Sequence, residues 1–174
     1  FITALNRRPP AHWLEKVPPP GLEDHPVVNV TWGDAAAYCL WLSDITGKTY
    51  RLPSEAQWEK AARSTDGRLF PWGNRWDRNR CNTLESGLRQ TTPVGTYSPD
   101  GDSVYGCGDM AGNVWEWVLD WYSKDYYTHS LALENPLGPV NGVVKVLRGG
   151  SFNNDAWQAR TTNRSYANRN QARS

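Results

Sequence analysis

Nine residues, Asp109-Met110-Ala111-Gly112-Asn113-Val114-Trp115-Glu116-Trp117, constrain this chain more than any other stretch. Two carboxylates bracket a glycine, an asparagine and a tryptophan. Carboxylate oxygens are the hard donors that calcium takes, and Gly112 permits the tight turn that aims backbone carbonyls inward. Trp115 and Trp117 flank Glu116, and rings of that size anchor a loop in a core. Two readings stand side by side. The stretch is a small cation cage built on a loop, or it is two surface acids on a turn beside a pair of core tryptophans.

A loop-borne cage suits a domain poor in long regular elements, and the composition is of that kind. The 174 residues suffice for one domain, 1–174, with a real core. Ten tryptophans, twelve prolines and fifteen glycines imply a loop-rich structure held by aromatic anchors. A net charge of +1 gives no global field that draws nucleic acid or membrane. No apolar run is long enough to span a bilayer. The charge is uneven, though. Arg148 to Ser174 carries about +4 and the remainder about −3. The cysteine count of three fits a reducing, cytoplasmic compartment, or one disulfide plus a free thiol. Cys39 reads as plain core, while Cys81 and Cys107 lie in loop-like sequence where a pairing is open. The chain opens on Phe1-Ile2 without a methionine, which reads as part of a longer polypeptide.

Residues 1–30 are proline-rich and read as an extended segment ending in a short strand, Val27 to Val30. Thr31 with Asp34 makes a capping box for a helix that carries Ala35, Tyr38, Cys39 and Leu42 at helical spacing and stops at Gly47. Ser54 with Gln57 caps a second helix whose buried stripe is Trp58, Ala61 and Ala62. Residues 64–108 show no period, and a loop region this long needs something to organise it. Val143 to Leu147 is the clearest strand. Gly149-Gly150 after it either lets a backbone approach a ligand or forms a bulge that ends the strand.

Common catalytic signatures are absent. His12, His25 and His129 are scattered, with no spacing that binds zinc or iron, and no CxxC occurs. No P-loop, nucleophile elbow or dinucleotide fingerprint appears. The run from Ser151 to Arg169 is nearly free of aliphatic residues and dense in arginine, asparagine, tyrosine and tryptophan. Those types dominate adaptable binding surfaces. Asn153, Asn154, Trp157, Arg160, Asn163, Tyr166 and Asn168 are its candidate ligand contacts, and Asn154→Ala is then expected to leave stability nearly unchanged. A solvated, loosely ordered tail is the plainer alternative.

Five blocks in order resemble the formylglycine-generating-enzyme (sulfatase-modifying-factor) family. They are Pro26 to Trp32, Tyr50 to Glu59, Phe70-Pro71-Trp72-Gly73-Asn74, the 109–117 stretch, and Leu147-Arg148-Gly149-Gly150-Ser151-Phe152. The resemblance implies an α+β domain, a loop-rich variant of the C-type lectin fold with two main helices, short antiparallel strands and structural calcium. It maps one calcium site onto the side chains of Asp109 and Glu116 with the carbonyls of Gly112 and Val114. A second maps onto Asn82, Thr83, Ser86 and Leu88, with Ser86 standing where the family has a stronger carboxylate ligand.

Fold alone does not carry function. In the family's enzymes two cysteines after the Gly-Gly-Ser block bind copper. Those positions fall on Asn154 and Ala159, and no cysteine follows Cys107. A soft thiolate pair holds Cu(I), so no copper is expected here. The resemblance extends to the variable proteins of diversity-generating retroelements, which display a diversified segment after the same block. It therefore implies a non-catalytic domain that binds a protein or small-molecule ligand through the segment after Gly150. The competing expectation is an oxidoreductase of the formylglycine-generating or sulfoxide-synthase type, with metal ligands outside this chain.

Overall fold

The computed structural model describes residues 1–129 and 134–172. Two capping boxes set the helices. Thr31 accepts from the Asp34 amide and Asp34 returns the bond, starting α1 (Trp32–Thr46), which ends on Gly47 in the left-handed region. Ser54 and Gln57 do the same for α2 (Glu55–Arg63). A 3-10 turn follows at Leu84–Ser86. Three strands, β1 (Glu116–Trp121), β2 (Lys145–Arg148) and β3 (Ser165–Ala167), form one antiparallel sheet in that order, and a short α3 (Tyr126–His129) lies between β1 and β2. The expected α+β, loop-rich architecture is what the chain adopts.

The sheet is covered on both faces. Trp117 on β1, Leu147 on β2 and Ala167 on β3 bury one side against Trp32 and Ala35 of α1. Val118 and Val146 bury the other against Trp58 and Ala62 of α2. This explains why β2 is buried at every position, charged ends included. Lys145 lies between the rings of Trp32 and Trp121, at 4.2 and 3.9 Å from their centroids, and donates to the Leu119 carbonyl. A third cluster, Cys81, Ala111 and Ala159 with Trp72 and Trp76, packs the loop region that shows no period in the sequence.

Several expectations need correction. The Val27–Val30 segment forms no named strand. Its carbonyl at Val30 instead accepts the Trp117 indole N–H. The apolar pattern of α1 does not mark a buried face: no residue of the helix is fully buried, Cys39 is half-buried, and Tyr38 is 45% exposed. Cys81 and Cys107 are free thiols and pack in different clusters. The C-terminal run is not a loose tail, since it contributes β3 and a series of hydrogen-bonded turns. Among the described residues, no helix is long and apolar enough to cross a membrane.

Candidate functional site

The loop from Asp109 to Val114 closes on itself through left-handed residues. Asp109, Gly112 and Asn113 all have positive φ. At Gly112 nothing larger fits, because a Cβ would lie 2.2 Å from the Asn82 carbonyl oxygen. That close approach is a bridge: Asn113 N–H donates to Asn82 O at 2.7 Å, and Gly112 N–H donates to Gly149 O at 2.8 Å. The Asn113 side chain, 2% exposed, accepts from the Thr92 amide and donates to the Thr92 carbonyl, so it pairs like a strand residue.

Asp109, Gly112, Val114 and Glu116 line one cavity of about 470 Å³, together with Gly95, Ser98 and Pro26. The four residues expected to make the first calcium site are thus brought together. Each carboxylate has one oxygen held by the protein. Asp109 Oδ2 accepts the Gly95 amide at 2.7 Å, and Glu116 Oε2 accepts the Trp58 indole N–H at 2.7 Å. The second oxygen of each takes no hydrogen bond from the described residues. Burial pushes the Glu116 carboxyl up to about 7, with the Trp58 bond opposing the rise and the Asp109 charge adding to it. Burial raises Asp109 as well, against the Gly95 bond. Two desolvated carboxylates facing one cavity, each with an uncommitted oxygen, form a donor set suited to a hard cation.

The residues of the expected second site behave differently. Asn82 and Ser86 meet, but Asn82 Oδ1 accepts from Ser86 Oγ at 2.9 Å and Asn82 Nδ2 donates to Gln90 O at 2.8 Å. Thr83 donates to Glu85, and the Leu88 amide donates to Ser86 Oγ. Glu85, the nearest carboxylate in sequence, has both oxygens engaged, one by the Thr83 hydroxyl at 2.7 Å and the other by the Ala156 amide at 2.9 Å. A larger groove of about 820 Å³ between the N-terminal segment and α1 holds none of the residues named as site candidates.

The C-terminal segment divides into displayed and anchored residues. Asn153, Trp157, Tyr166 and Asn168 are exposed, Trp157 by 59% and Tyr166 by 53%. Tyr166 leans on Tyr122, with ring centroids 4.5 Å apart. Asn154 and Asn163 are half-buried and occupied. Asn154 accepts from Ser151 Oγ at 2.7 Å and donates to Gln158 Oε1 at 2.9 Å, while Asn163 donates to the Gln158 carbonyl. Arg160 is half-buried, and its Nε has no hydrogen-bond partner. The expected indifference of stability to Asn154→Ala is therefore revised, because the amide closes the turn that it sits in. Ala159 is fully buried.

Sequence reasoning missed the ion network beneath this segment. The Arg148 side chain, with none of its surface exposed, meets Glu59 and Glu55 and donates to the Thr161 and Asn163 carbonyls. Arg164 makes two bonds to Glu55, at 2.7 and 2.8 Å, and stacks over Tyr122 and Tyr127. The one local signal was a charged residue ending an apolar strand run at Arg148. Gly149 and Gly150, whose role was open, turn the chain back over itself. A Cβ at Gly150 would sit 3.1 Å from the Gln158 carbonyl, so the close approach is to its own backbone.

A small twisted sheet covered by two helices, with long organised loops and a carboxylate-lined cavity, is the loop-rich C-type lectin variant. The chain belongs to the family described as sulfatase-modifying factor enzyme 1-like domains, which matches residues 6–174. It is 44% identical over 146 residues to the formylglycine-generating enzyme of Streptomyces coelicolor, covering 76% of this chain and 43% of that protein. It is 47% identical over 137 residues to the serine/threonine-protein kinase Pkn1 of Chlamydia trachomatis, covering 76% of this chain and 20% of that one. The chain thus spans less than half the length of either relative. Among solved structures it is similar to Treponema denticola variable protein 1, with a TM-score of 0.78 and 25% identity over 95% of this chain and 74% of that one.

Proposed function

We propose that this is a non-catalytic ligand-binding domain of the family, displaying the segment after Gly150, with a calcium ion at the 109–116 cavity bracing the loops beneath it. The observation that carries the reading is the chemistry at the two positions that resemblance aligns with copper-binding cysteines. Asn154 offers an amide locked between Ser151 and Gln158, and Ala159 a buried methyl group. Neither replaces a thiolate for Cu(I). Trp157 and Tyr166 stand exposed on the same segment, as aromatic anchors of a binding face do. The likeness to a variable protein supports the further step that this segment is diversified by a retroelement. The donor set at the cavity fits calcium: Asp109 and Glu116 would supply carboxylate oxygens, with the Gly112 and Val114 carbonyls beside them.

Two measurements test this reading. Chelation of the purified protein is expected to lower its melting temperature, and an unchanged melting temperature sinks the cation. In the coding DNA, a near-identical repeat beside a reverse transcriptase, differing only at adenine positions, is expected for the diversified segment, and its absence sinks that step. The 44% identity to a formylglycine-generating enzyme favours a second reading. In it, an oxidase completes its metal site from another part of a longer polypeptide. Copper or iron in the full-length protein, with oxygen consumed in the presence of a cysteine peptide, would decide for that reading.

A further inference from the structure

The two carboxylates at the cavity differ in how they are held. Asp109 is oriented by a backbone amide within the same loop region, at Gly95. Glu116 is oriented by a side chain from a distant element, α2, through the 2.7 Å bond from the Trp58 indole. An indole has a single donor, so this bond uses all the hydrogen-bonding capacity of the ring. Trp58 has little freedom to move. It is 2% exposed and packs in the cluster with Ala62, Met110, Val118 and Val146. The Arg148 guanidinium lies 5.1 Å from its ring centroid, and Arg148 is itself fixed by Glu55 and Glu59. The Glu116 backbone is fixed as well, because the residue opens β1 in register with Arg148.

We propose that Trp58 is a positioning residue for the cation site. By holding Glu116 Oε2, it leaves the other oxygen free for the metal and sets its direction. The proposal rests on the calcium reading above. Groups that orient a metal ligand without touching the metal change affinity by about 10–100-fold when lost. The bond also makes α2, and the buried arginine behind it, part of what shapes the cavity.

The test separates the bond from the packing. Trp58→Phe removes the donor but also part of the ring. A second variant therefore carries, at position 58 alone, the tryptophan isostere in which sulfur replaces the indole N–H. A third carries 4-fluorotryptophan there and keeps the N–H. Calcium affinity is measured by calorimetry, and the unfolding midpoint of the cation-free protein is measured in parallel. The expected result is a calcium Kd weakened by about 10–100-fold in the sulfur isostere and restored by 4-fluorotryptophan. A sulfur isostere that binds calcium as tightly as the native protein overturns the positioning role, even if its cation-free stability falls, and leaves the calcium reading intact. A native protein that binds no calcium in the same experiment overturns both.

Discussion

Between Arg148 and Arg169 the same residue types do opposite work. Arg148 and Arg164 point inward and are spent on Glu55 and Glu59, whereas Arg169 is exposed. Asn154 and Asn163 close turns, whereas Asn153 and Asn168 face solvent. An arginine- and asparagine-rich run is thus not one surface but an anchored set and a displayed set interleaved along a single chain. The anchored set stabilises by satisfying buried charge and backbone groups, and removing one member leaves a desolvated carboxylate or carbonyl with fewer partners than it needs.

The largest effect is expected at Arg148. Arg148→Met should cost about 3 kcal/mol in a denaturant titration, because buried Glu55 loses one of its two cations and the Thr161 and Asn163 carbonyls lose their donor, while Glu59, 28% exposed, keeps Arg63. A cost below 1 kcal/mol would show that the network behaves like an exposed ion pair, and the distinction between the two sets would lose its strongest case. Asn154→Ala comes next, at about 1 kcal/mol for the two side-chain bonds that it breaks. An unchanged midpoint would move Asn154 back into the displayed set. Trp157→Ala should alter stability by less than about 0.5 kcal/mol, since the ring is 59% exposed. A clear fall in the midpoint would instead make Trp157 an anchor and remove it from the proposed binding face.

The division explains what was legible in the sequence. Both helices could be read from their capping boxes, because capping is local chemistry written within four residues. β2 could be read from its apolar run. β3 could not: Ser165, Tyr166 and Ala167 pair with β2 because Arg148 and Arg164 hold the segment down, and that partnership spans more than a hundred residues at Glu55. α1 misled in the opposite direction. Its apolar spacing marks a helix but not its depth, and the structure leaves Tyr38 and Leu40 exposed. The cavity residues were legible as a set because their donors are close in sequence. What holds them, Gly95 and Trp58, was not. For Asn82 and Ser86 the sequence conveys donor types but not that the two would satisfy each other.

The displayed stretch is tethered through its main chain. Phe152 N–H bonds to Asn113 O, Leu84 N–H to Asn154 O, Ala156 N–H to Glu85, and Thr161 N–H to Leu69 O. Within the segment, each of these links uses a peptide group, which every residue except proline supplies in full. Side chains at Asn153, Asp155, Trp157 and Tyr166 can therefore be rewritten without cutting a tether. Attachment of this stretch thus rests on its amides and carbonyls together with the inward side chains of Arg148, Thr161 and Arg164, and the outward side chains are left free of that duty.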